Sequence, residues 1–315
     1  MHLHLHAGQG RAGSSAITHY LSENAVLLKE NGFVYPEIRE FPGHRYNNGL
    51  GIANYLYRHT PQHSRIEALV RELTDYKDTV IICSENFARV PASAWSLLRE
   101  ALRNSGVTIK VHFYIREPLE RLISAYGQRV KRQRPVGTIN EFLEKFDHQR
   151  MMLWPVLSRL ESVFNKDLAI YLYRRDRLYR SDVRADFLTR LGINSSTLEF
   201  SDPVNASGNV VQIEAMRLLN GMGLENWTRK DNRRLLRATS GLKANPISDY
   251  VDPKLAAKIQ DVLKDDIARV KEAFFPDSEG PLFPPAEYKG LNQDEVSKKC
   301  IAYVLKILLS KNSSV

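Results

Sequence analysis

Hydrophobic and polar positions along this chain follow two periods, one typical of strands and one of helices. Residues 2–6 alternate histidine with leucine, and this period of two predicts a first strand. Apolar runs at residues 80–83, 107–115 and 168–173 predict three more strands, and the first of these runs is typical of a strand buried on both faces of a parallel sheet. Because helical stretches separate the strands, the pattern predicts an α/β fold with a central, mainly parallel sheet flanked by helices.

Helical spacing of apolar residues fills the intervals between the strands. Gly32 and Gly192 each follow such a stretch and predict a helix end, while Thr138 with Glu141 forms a capping-box signature for a helix start. The helices that end at these two glycines cover residues 16–31 and 182–191, and further predicted helices cover residues 48–57, 64–76, 92–103, 210–220, 230–238 and 253–274. We predict one α/β domain over residues 1–283 with a helical C-terminal region, and a tail over residues 284–315 that carries an amphipathic helix.

The composition is that of an ordinary globular protein. Of 315 residues, 43% are hydrophobic and 26% charged, which suffices for one large core or two modest ones. Cys83 and Cys300 stand in apolar surroundings, so we expect buried free thiols in a reducing compartment. No signal-peptide pattern precedes the first strand and no apolar run has the length of a membrane span, which predicts a cytoplasmic protein without stable membrane insertion. We expect the tail helix to pack on the body or on a second copy of the chain, as in a homo-oligomer.

The charge balance indicates an anionic ligand or substrate. The chain has 45 lysines and arginines against 36 aspartates and glutamates, a net charge of +9. Nucleic acid is one class of anion with this preference, but the sequence lacks zinc-finger spacing, an RNA-recognition signature and bZIP heptads. We therefore predict no nucleic-acid partner.

A glycine-rich loop, AGQGRAGSS at residues 7–15, joins the first predicted strand to the first predicted helix. Glycines let backbone N–H groups turn inward, and the helix start adds partial positive charge, so the loop is suited to a phosphate- or sulfate-like anion. The spacing of Gly8 and Gly13 is that of the nucleoside-triphosphate loop GxxxxGK[ST], but Ser14 stands at the lysine position. The cation of this loop is Arg11.

A second motif, REPLERLISAY, follows the third predicted strand. Arg116 follows that strand directly, and Pro118 stands in the first turn of the next helix, where proline is tolerated. Ser124 lies a little over two helical turns after Arg116, so the two can share a face if the arginine reaches back. The guanidinium and the hydroxyl together supply the donors that a phosphate needs.

Both motifs resemble those of sulfotransferases that use 3′-phosphoadenosine-5′-phosphosulfate (PAPS). RAGSS at residues 11–15 resembles their short loop K-[ST]-G-[ST]-[ST], with Arg11 in place of lysine and Ala12 in place of serine or threonine. A planar guanidinium differs from a point-charge ammonium, so the first departure is chemically significant. The second motif resembles their 3′-phosphate pattern Y-x-x-R-[NDE]-P-x-[DE]-x-x-x-S-x-Y, matched here by Arg116, Glu117, Pro118, Glu120, Ser124 and Tyr126, with Tyr114 one residue closer to the arginine than in that pattern.

The resemblance, which extends to the order of elements in bacterial members of the family, implies a three-layer P-loop fold and PAPS as the donor co-substrate, without a metal. It implies that the donor's sulfuryl end and leaving phosphate are held by Gly10, Arg11, Ala12, Gly13, Ser14 and Ser15, and its 3′-phosphate by Arg116 and Ser124. The expected acceptor is a hydroxyl or amine of a glycan, lipid or small metabolite. Asn205 and Ser207 match a further family segment and lie near the nucleotide in that reading, or form a helix N-cap.

The catalytic base is predicted from position. Glu85 follows the strand at residues 80–83, where the family places its catalytic His or Glu, and we expect it in a closed pocket near Arg11. His44 is the second candidate. We expect His112, within a strand, to be a core histidine, and the alternating His2, His4 and His6 lack the acidic or cysteine partners of a metal site.

Two other classes of function remain open. A P-loop kinase or other phosphotransferase fits the loop spacing, but Ser14 at the lysine position and the absence of sequence candidates for magnesium ligands oppose it. A non-catalytic descendant that binds a nucleotide or an anionic glycan is compatible with Arg11 and Ala12.

Overall fold

The computed structural model describes residues 1–132, 137–196, 198–200, 210–222, 230–231, 235, 245–298 and 300–301. The chain divides into two compact units, one of Met1–Glu117 with Leu153–Asn205 and the other of Pro118–Met152 with Ala206–Val315. Each unit thus draws on two separate segments, a division different from the predicted boundary at residue 283. Asn205 and Ser207, the predicted nucleotide contacts, lie outside the described residues.

The secondary structure alternates strands and helices as the sequence pattern predicts. The strands are β1 His2–His6, β2 Phe33–Val34, β3 Thr79–Cys83, β4 Thr108–Ile115 and β5 Leu168–Leu172. The α-helices are α1 Ser14–Glu23, α2 Ala25–Glu30, α3 Leu50–Arg58, α4 His63–Thr74, α5 Ala92–Asn104, α6 Pro118–Lys131, α7 Ile139–Glu144, α8 Trp154–Phe164, α9 Val183–Arg190, α10 Val210–Gly221 and α11 Pro253–Phe274. Short 3₁₀ turns cover Glu85–Arg89, His148–Met151, Asn165–Asp167, Tyr179–Ser181 and Ile247–Tyr250.

The first unit is built on a parallel sheet with the strand order β2-β3-β1-β4-β5. β1 is the central strand, and Leu3 pairs with Val80 of β3 on one side and Ile109 of β4 on the other. All strand pairs in this sheet are parallel, which confirms the predicted α/β class.

Helices pack on both faces of this sheet. On one face, residues of β3 and β4 share an apolar cluster with α1 and α9, including Ile81, Cys83, Tyr114, Ile17, Leu21 and Phe187. On the other face, Ile82 and Phe87 meet at Gly49, and the Phe87 ring contacts Trp95 of α5. Cys83 lies wholly inside, and burial raises the pKa of its thiol, as expected for a free cysteine in a core.

Local chemistry explains two differences from the predicted elements. The helix expected over residues 16–31 is broken at Asn24, whose side-chain Nδ2 donates to the Tyr20 carbonyl and whose backbone leaves the helical region. The sequence pattern did not predict β2 because the strand has only two residues, too few to show a period. The capping box of Thr138 and Glu141 is present at the start of α7.

The second unit has a helical core formed by α6, α7, α10 and α11. Val296 and Cys300 of the predicted tail lie in the same apolar cluster as residues of those helices. Burial raises the pKa of the Cys300 thiol to about 11. Residues 293–298 and 300–301 are helical, so the described part of the tail packs on the body of this unit.

A buried carboxylate fixes the tail to this helical core. Glu214 of α10 accepts three hydrogen bonds from Arg217, at 2.6, 2.9 and 3.1 Å, and others from Gln293 and Ser297. Gln293 in turn accepts the Ile139 N–H at 3.0 Å. A buried charge with this many partners is compensated. Among the described residues, no helix combines the length and the apolar character needed to cross a membrane.

Candidate functional site

The glycine-rich loop lies at the carboxyl end of the central strand. The ladder reaches this end of the sheet through two backbone bonds of 3.0 Å, from Ser84 N–H to the His6 carbonyl and from Ala7 N–H to the His112 carbonyl. After β1 the chain continues to β2 and β3 on one side, whereas β4 and β5 lie on the other. Open α/β sheets bind ligands beyond the carboxyl ends of their strands at such a switch point.

Two residues of left-handed backbone shape this loop. Arg11 has φ 73° and Gly13 has φ 83°, and they flank Ala12. A side chain at Gly13 would meet both Tyr173 and Val183, the nearest atom being 2.7 Å from its Cβ. Successive turns of this type form concavities lined by N–H groups, which bind anions. The Ala12 methyl group packs in the apolar cluster of α1 and α9, so this departure from serine or threonine faces the core.

Helix α1 begins at the loop with its first amide groups uncapped. Gly13 is the N-cap residue, no side chain caps the helix, and Ser14 and Ser15 form its first turn. The first N–H groups of a helix have no intrahelical partner and carry the positive end of the macrodipole. Ser14 is only 6% exposed, and its Oγ has no hydrogen-bond partner among the described residues. An uncapped helix start with an unpartnered hydroxyl is suited to an anion.

An open pocket of about 250 Å³ lies at this helix start. It is lined by Ser14, Ser15, Thr18, His19, Tyr46, Asn47 and Glu85. Glu85 is exposed, and its Oε2 lies 3.4 Å from where a Cβ at Gly10 would stand. The structure thus brings the predicted base, Ser14 and Ser15 to one pocket and places Gly10 beside it. The expected closed environment of Glu85 is not observed.

The outer wall of the pocket is held by a buried asparagine. Asn48 donates to the carbonyls of Pro36 and Ile81, at 3.0 and 2.9 Å, and accepts the Cys83 N–H at 2.9 Å. These bonds fix the segment that carries Tyr46 and Asn47 against the carboxyl end of β3. The Tyr46 ring stacks on His19 of α1, with centroids 4.6 Å apart.

His44, the second predicted base, lies on this segment but does not line the pocket. It is exposed, and its Nδ1 accepts the Tyr46 N–H at 3.3 Å. In this structure His44 therefore shapes the turn that presents Tyr46.

Arg116 supports the loop in two ways. Its backbone N–H donates to Gln9 Oε1 at 3.1 Å, and its guanidinium donates to the Arg11 carbonyl at 3.2 Å. The guanidinium also lies over the Tyr173 ring, 5.6 Å from its centroid. Ser124, the predicted partner of Arg116 at a 3′-phosphate, lies on α6 in the second unit, so their joint role stays a prediction.

Two histidines of the sheet, the half-buried His4 and the buried His112, form a polar pair. His4 Nδ1 lies 2.8 Å from His112 Nε2, and His112 Nδ1 lies 3.2 Å from the Tyr171 hydroxyl. Burial, reinforced by His2 and Lys110, lowers the pKa of His4 to about 4. Burial also lowers the pKa of His112 well below its ordinary value. In the part of the chain that the structure describes, no group of three or more metal-ligating side chains is placed to hold an ion.

Comparisons of the chain with family models, curated proteins and solved structures give one distant structural likeness to report. No family model matches it, and no curated protein matches it. Among solved structures it is similar to a sulfotransferase from Alicyclobacillus acidocaldarius, with 16% sequence identity, coverage of 86% of this chain and 94% of that chain, and a TM-score of 0.42.

Several site residues carried no signal in the sequence motifs. Thr18 and His19 follow Ser14 and Ser15 by one helical turn, so helical spacing could have placed them on the same face. Tyr46 and Asn47 reach the pocket through the long-range bonds of Asn48, which no local pattern reveals.

Proposed function

We propose that this protein is a PAPS-dependent sulfotransferase, which moves a sulfuryl group to a hydroxyl or amine. The observation that supports this most is the pocket, where the uncapped start of α1 and a carboxylate, Glu85, line one space. Sulfuryl transfer needs both: donors for the anionic donor molecule and a base for the acceptor.

In the proposed reaction the acceptor oxygen or nitrogen attacks the sulfur of PAPS. The bond from sulfur to the bridging phosphate oxygen breaks, and adenosine 3′,5′-bisphosphate leaves with the bonding electron pair. The acceptor proton passes to the Glu85 carboxylate. Charge grows on the leaving phosphate, where Arg11 and the N–H groups of Ser14 and Ser15 would stabilise it.

The other predicted contacts keep their proposed roles. Gly10, Ala12 and Gly13 form part of the backbone of the glycine-rich loop at residues 7–15, the proposed anion loop, and Arg116 with Ser124 binds the 3′-phosphate. His44 stays the alternative base. A metal ion has no part in the proposal, and a cytoplasmic location is proposed with it.

The pocket lining can form hydrogen bonds to an acceptor. Among the described residues that line it, each side chain carries a polar group, including those of His19, Tyr46 and Asn47. The apolar parts of the same side chains also line the pocket, so it offers both polar and apolar contacts. We therefore keep a glycan, a lipid and a small metabolite as the proposed acceptor classes.

A nucleotide-binding panel tests the proposed donor. Adenosine 3′,5′-bisphosphate, ATP with magnesium and GTP with magnesium are each titrated by calorimetry, with thermal unfolding as a second readout. We expect the bisphosphate to bind without metal and to raise the unfolding temperature. Tighter binding of ATP with magnesium would favour a kinase instead. Binding of the bisphosphate without transfer from PAPS to any acceptor would favour a non-catalytic descendant.

A further inference from the structure

Two buried polar side chains beside the anion loop lack hydrogen-bond partners. His6, the last residue of β1, is fully buried, and neither ring nitrogen has a partner among the described residues. The Ser14 hydroxyl is in the same condition. Buried polar groups are nearly always paired because an unpaired one costs stability, so two of them together require a physical reason.

Gly8 brings the two side chains together. A Cβ built at Gly8 would overlap Ser14 Oγ and would lie 2.6 Å from His6 Cε1 and 2.8 Å from His6 Nε2. The imidazole and the hydroxyl therefore occupy the same side of Gly8, in the space that a side chain there would fill. Glycine at this position is what allows both groups to sit against the loop backbone.

Among the described residues, aromatic rings pack against His6 and none of the side chains is hydrogen-bonded to it. Its ring contacts Phe187 edge-on, with centroids 5.5 Å apart, and Tyr114 at 6.1 Å. The Tyr114 hydroxyl already donates to Asp186 at 2.7 Å. Burial lowers the pKa of His6 to about 3, so the ring is neutral at pH 7 and carries a single N–H.

We propose that His6 is a positioning residue for Ser14, donating its Nε2–H to Ser14 Oγ when an anion occupies the loop. The Ser14 hydroxyl proton then points to the anion, and the two hydrogen bonds in series strengthen each other. This inference rests on the anion-binding role proposed for the loop and not on the identity of the acceptor.

A double-mutant cycle tests the coupling of His6 and Ser14. Calorimetry measures the affinity of wild type, His6→Phe, Ser14→Ala and the double variant for adenosine 3′,5′-bisphosphate and for inorganic pyrophosphate. We expect each single variant to bind about 3- to 10-fold more weakly, the scale of one neutral hydrogen bond, and the double variant to bind no more weakly than Ser14→Ala. His6→Gln, which keeps an N–H near the Nε2 position, should restore part of the affinity.

A purely structural histidine would behave differently. His6→Phe would then leave both affinities unchanged and leave the fold as stable or more so, because it removes an unpaired buried group. His2→Phe, an exposed residue on the same face of β1, is the matched control and should leave affinity unchanged. Urea unfolding of every variant tests whether a loss of affinity comes from unfolding of the protein. If His6→Phe folds poorly, His6→Gln gives a second measurement.

The outcomes separate this inference from the proposed function. Additive losses in the cycle, with wild-type binding of the bisphosphate intact, would overturn the role of His6 alone. Non-additive losses of pyrophosphate affinity, in a protein that binds the bisphosphate no more tightly than pyrophosphate, would support the role of His6. The same result would count against PAPS as the donor. Failure of wild type to bind either compound would overturn both.

Discussion

Arg11 holds a backbone conformation that is unfavourable for a residue with a side chain. Its φ of 73° lies in the left-handed region, which costs an L-residue about 1–2 kcal/mol relative to glycine. We predict that Arg11→Gly is more stable than Arg11→Ala by about 1 kcal/mol in free energy of unfolding. Both variants lack the guanidinium, but only alanine keeps the strain of the left-handed backbone. Both should lose affinity for adenosine bisphosphate. Urea unfolding measures the difference, and equal stabilities would mean that residue 11 leaves this conformation once its side chain is removed.

Glu85 can be tested as the base without changing the shape of the pocket. Glu85→Gln removes basicity, so we predict a loss of turnover of about 10²-fold or more, the scale of general-base catalysis, with nucleotide affinity unchanged. Glu100→Gln, at an exposed carboxylate on α5, is the control. Preserved turnover with weakened nucleotide binding would identify Glu85 as a structural carboxylate and make His44 the next residue to test.

Arg116 has two competing roles that one substitution separates. If it binds the 3′-phosphate, Arg116→Ala should weaken adenosine 3′,5′-bisphosphate by about 1.5–3 kcal/mol, the scale of a charged hydrogen bond. Adenosine 5′-phosphosulfate, which lacks that phosphate, should bind nearly as before. Equal losses for the two nucleotides would instead mean that the arginine acts through its bond to the Arg11 carbonyl, as a support of the loop.

At the scale of single elements, the glycines of the loop between β1 and α1 differ in how much space surrounds them. An alanine at Gly8 would overlap Ser14 Oγ and crowd the buried His6 ring, whereas at Gly10 its Cβ would stand 3.4 Å from Glu85 Oε2. We predict that Gly8→Ala lowers the free energy of unfolding by about 1–3 kcal/mol, the usual cost of overpacking, and weakens anion binding. Gly10→Ala should be nearly neutral in stability. Similar unfolding curves for the two variants would show that the loop relaxes around Gly8.

Local sequence patterns are sufficient to predict the secondary-structure elements whose formation depends on neighbouring residues. The alternation in β1, the apolar run in β3 and the capping box of α7 each depend on neighbouring residues, and the structure confirms all three. The break at Asn24 and the strand at Phe33–Val34 depend on a side-chain bond and on pairing with β3, neither of which a period reveals.

Some residues of the candidate site could likewise be predicted from local sequence, and others depend on long-range contacts. Ser14, Ser15 and Glu85 follow from a loop motif and a strand end, and the structure brings them to one pocket. Tyr46 and Asn47 depend on the clamp formed by Asn48. The left-handed backbone of Arg11 has no sequence signal, because arginine seldom adopts it.

At the scale of the whole molecule, the buried histidines couple stability to pH. The folded-state pKa values of His4 and His6 are about 4 and 3, and that of His112 is also low, against about 6.5 in an unfolded chain. Below pH 6.5 the unfolded state therefore binds more protons. Stability is fully present above that pH and falls as the pH drops toward 4.

We predict that the free energy of unfolding, measured in urea at pH 7, 6 and 5, decreases as the pH is lowered. Each of the three histidines contributes a decrease of up to about 1.4 kcal/mol per pH unit. The half-buried His4 should contribute less than this because solvent screens it. His112→Phe should reduce the slope, whereas His63→Gln, an exposed histidine at the start of α4, should not. A flat profile between pH 7 and 5 would mean that these side chains reach water in the folded protein.

The central place of β1 also determines the order in which the sheet can be completed. β1 precedes both of its partners in the sequence, since Leu3 pairs with Val80 and Ile109. At roughly 5–20 residues per second of synthesis, the first strand waits on the order of 5 to 20 seconds before its second neighbour exists. No strand close to β1 in the sequence pairs with either of its edges. We therefore expect the loop at residues 7–15 to fold late, after β3 and β4 have been synthesised. A growing chain of this protein therefore exposes an unpaired strand for longer than a sheet built from sequential hairpins would.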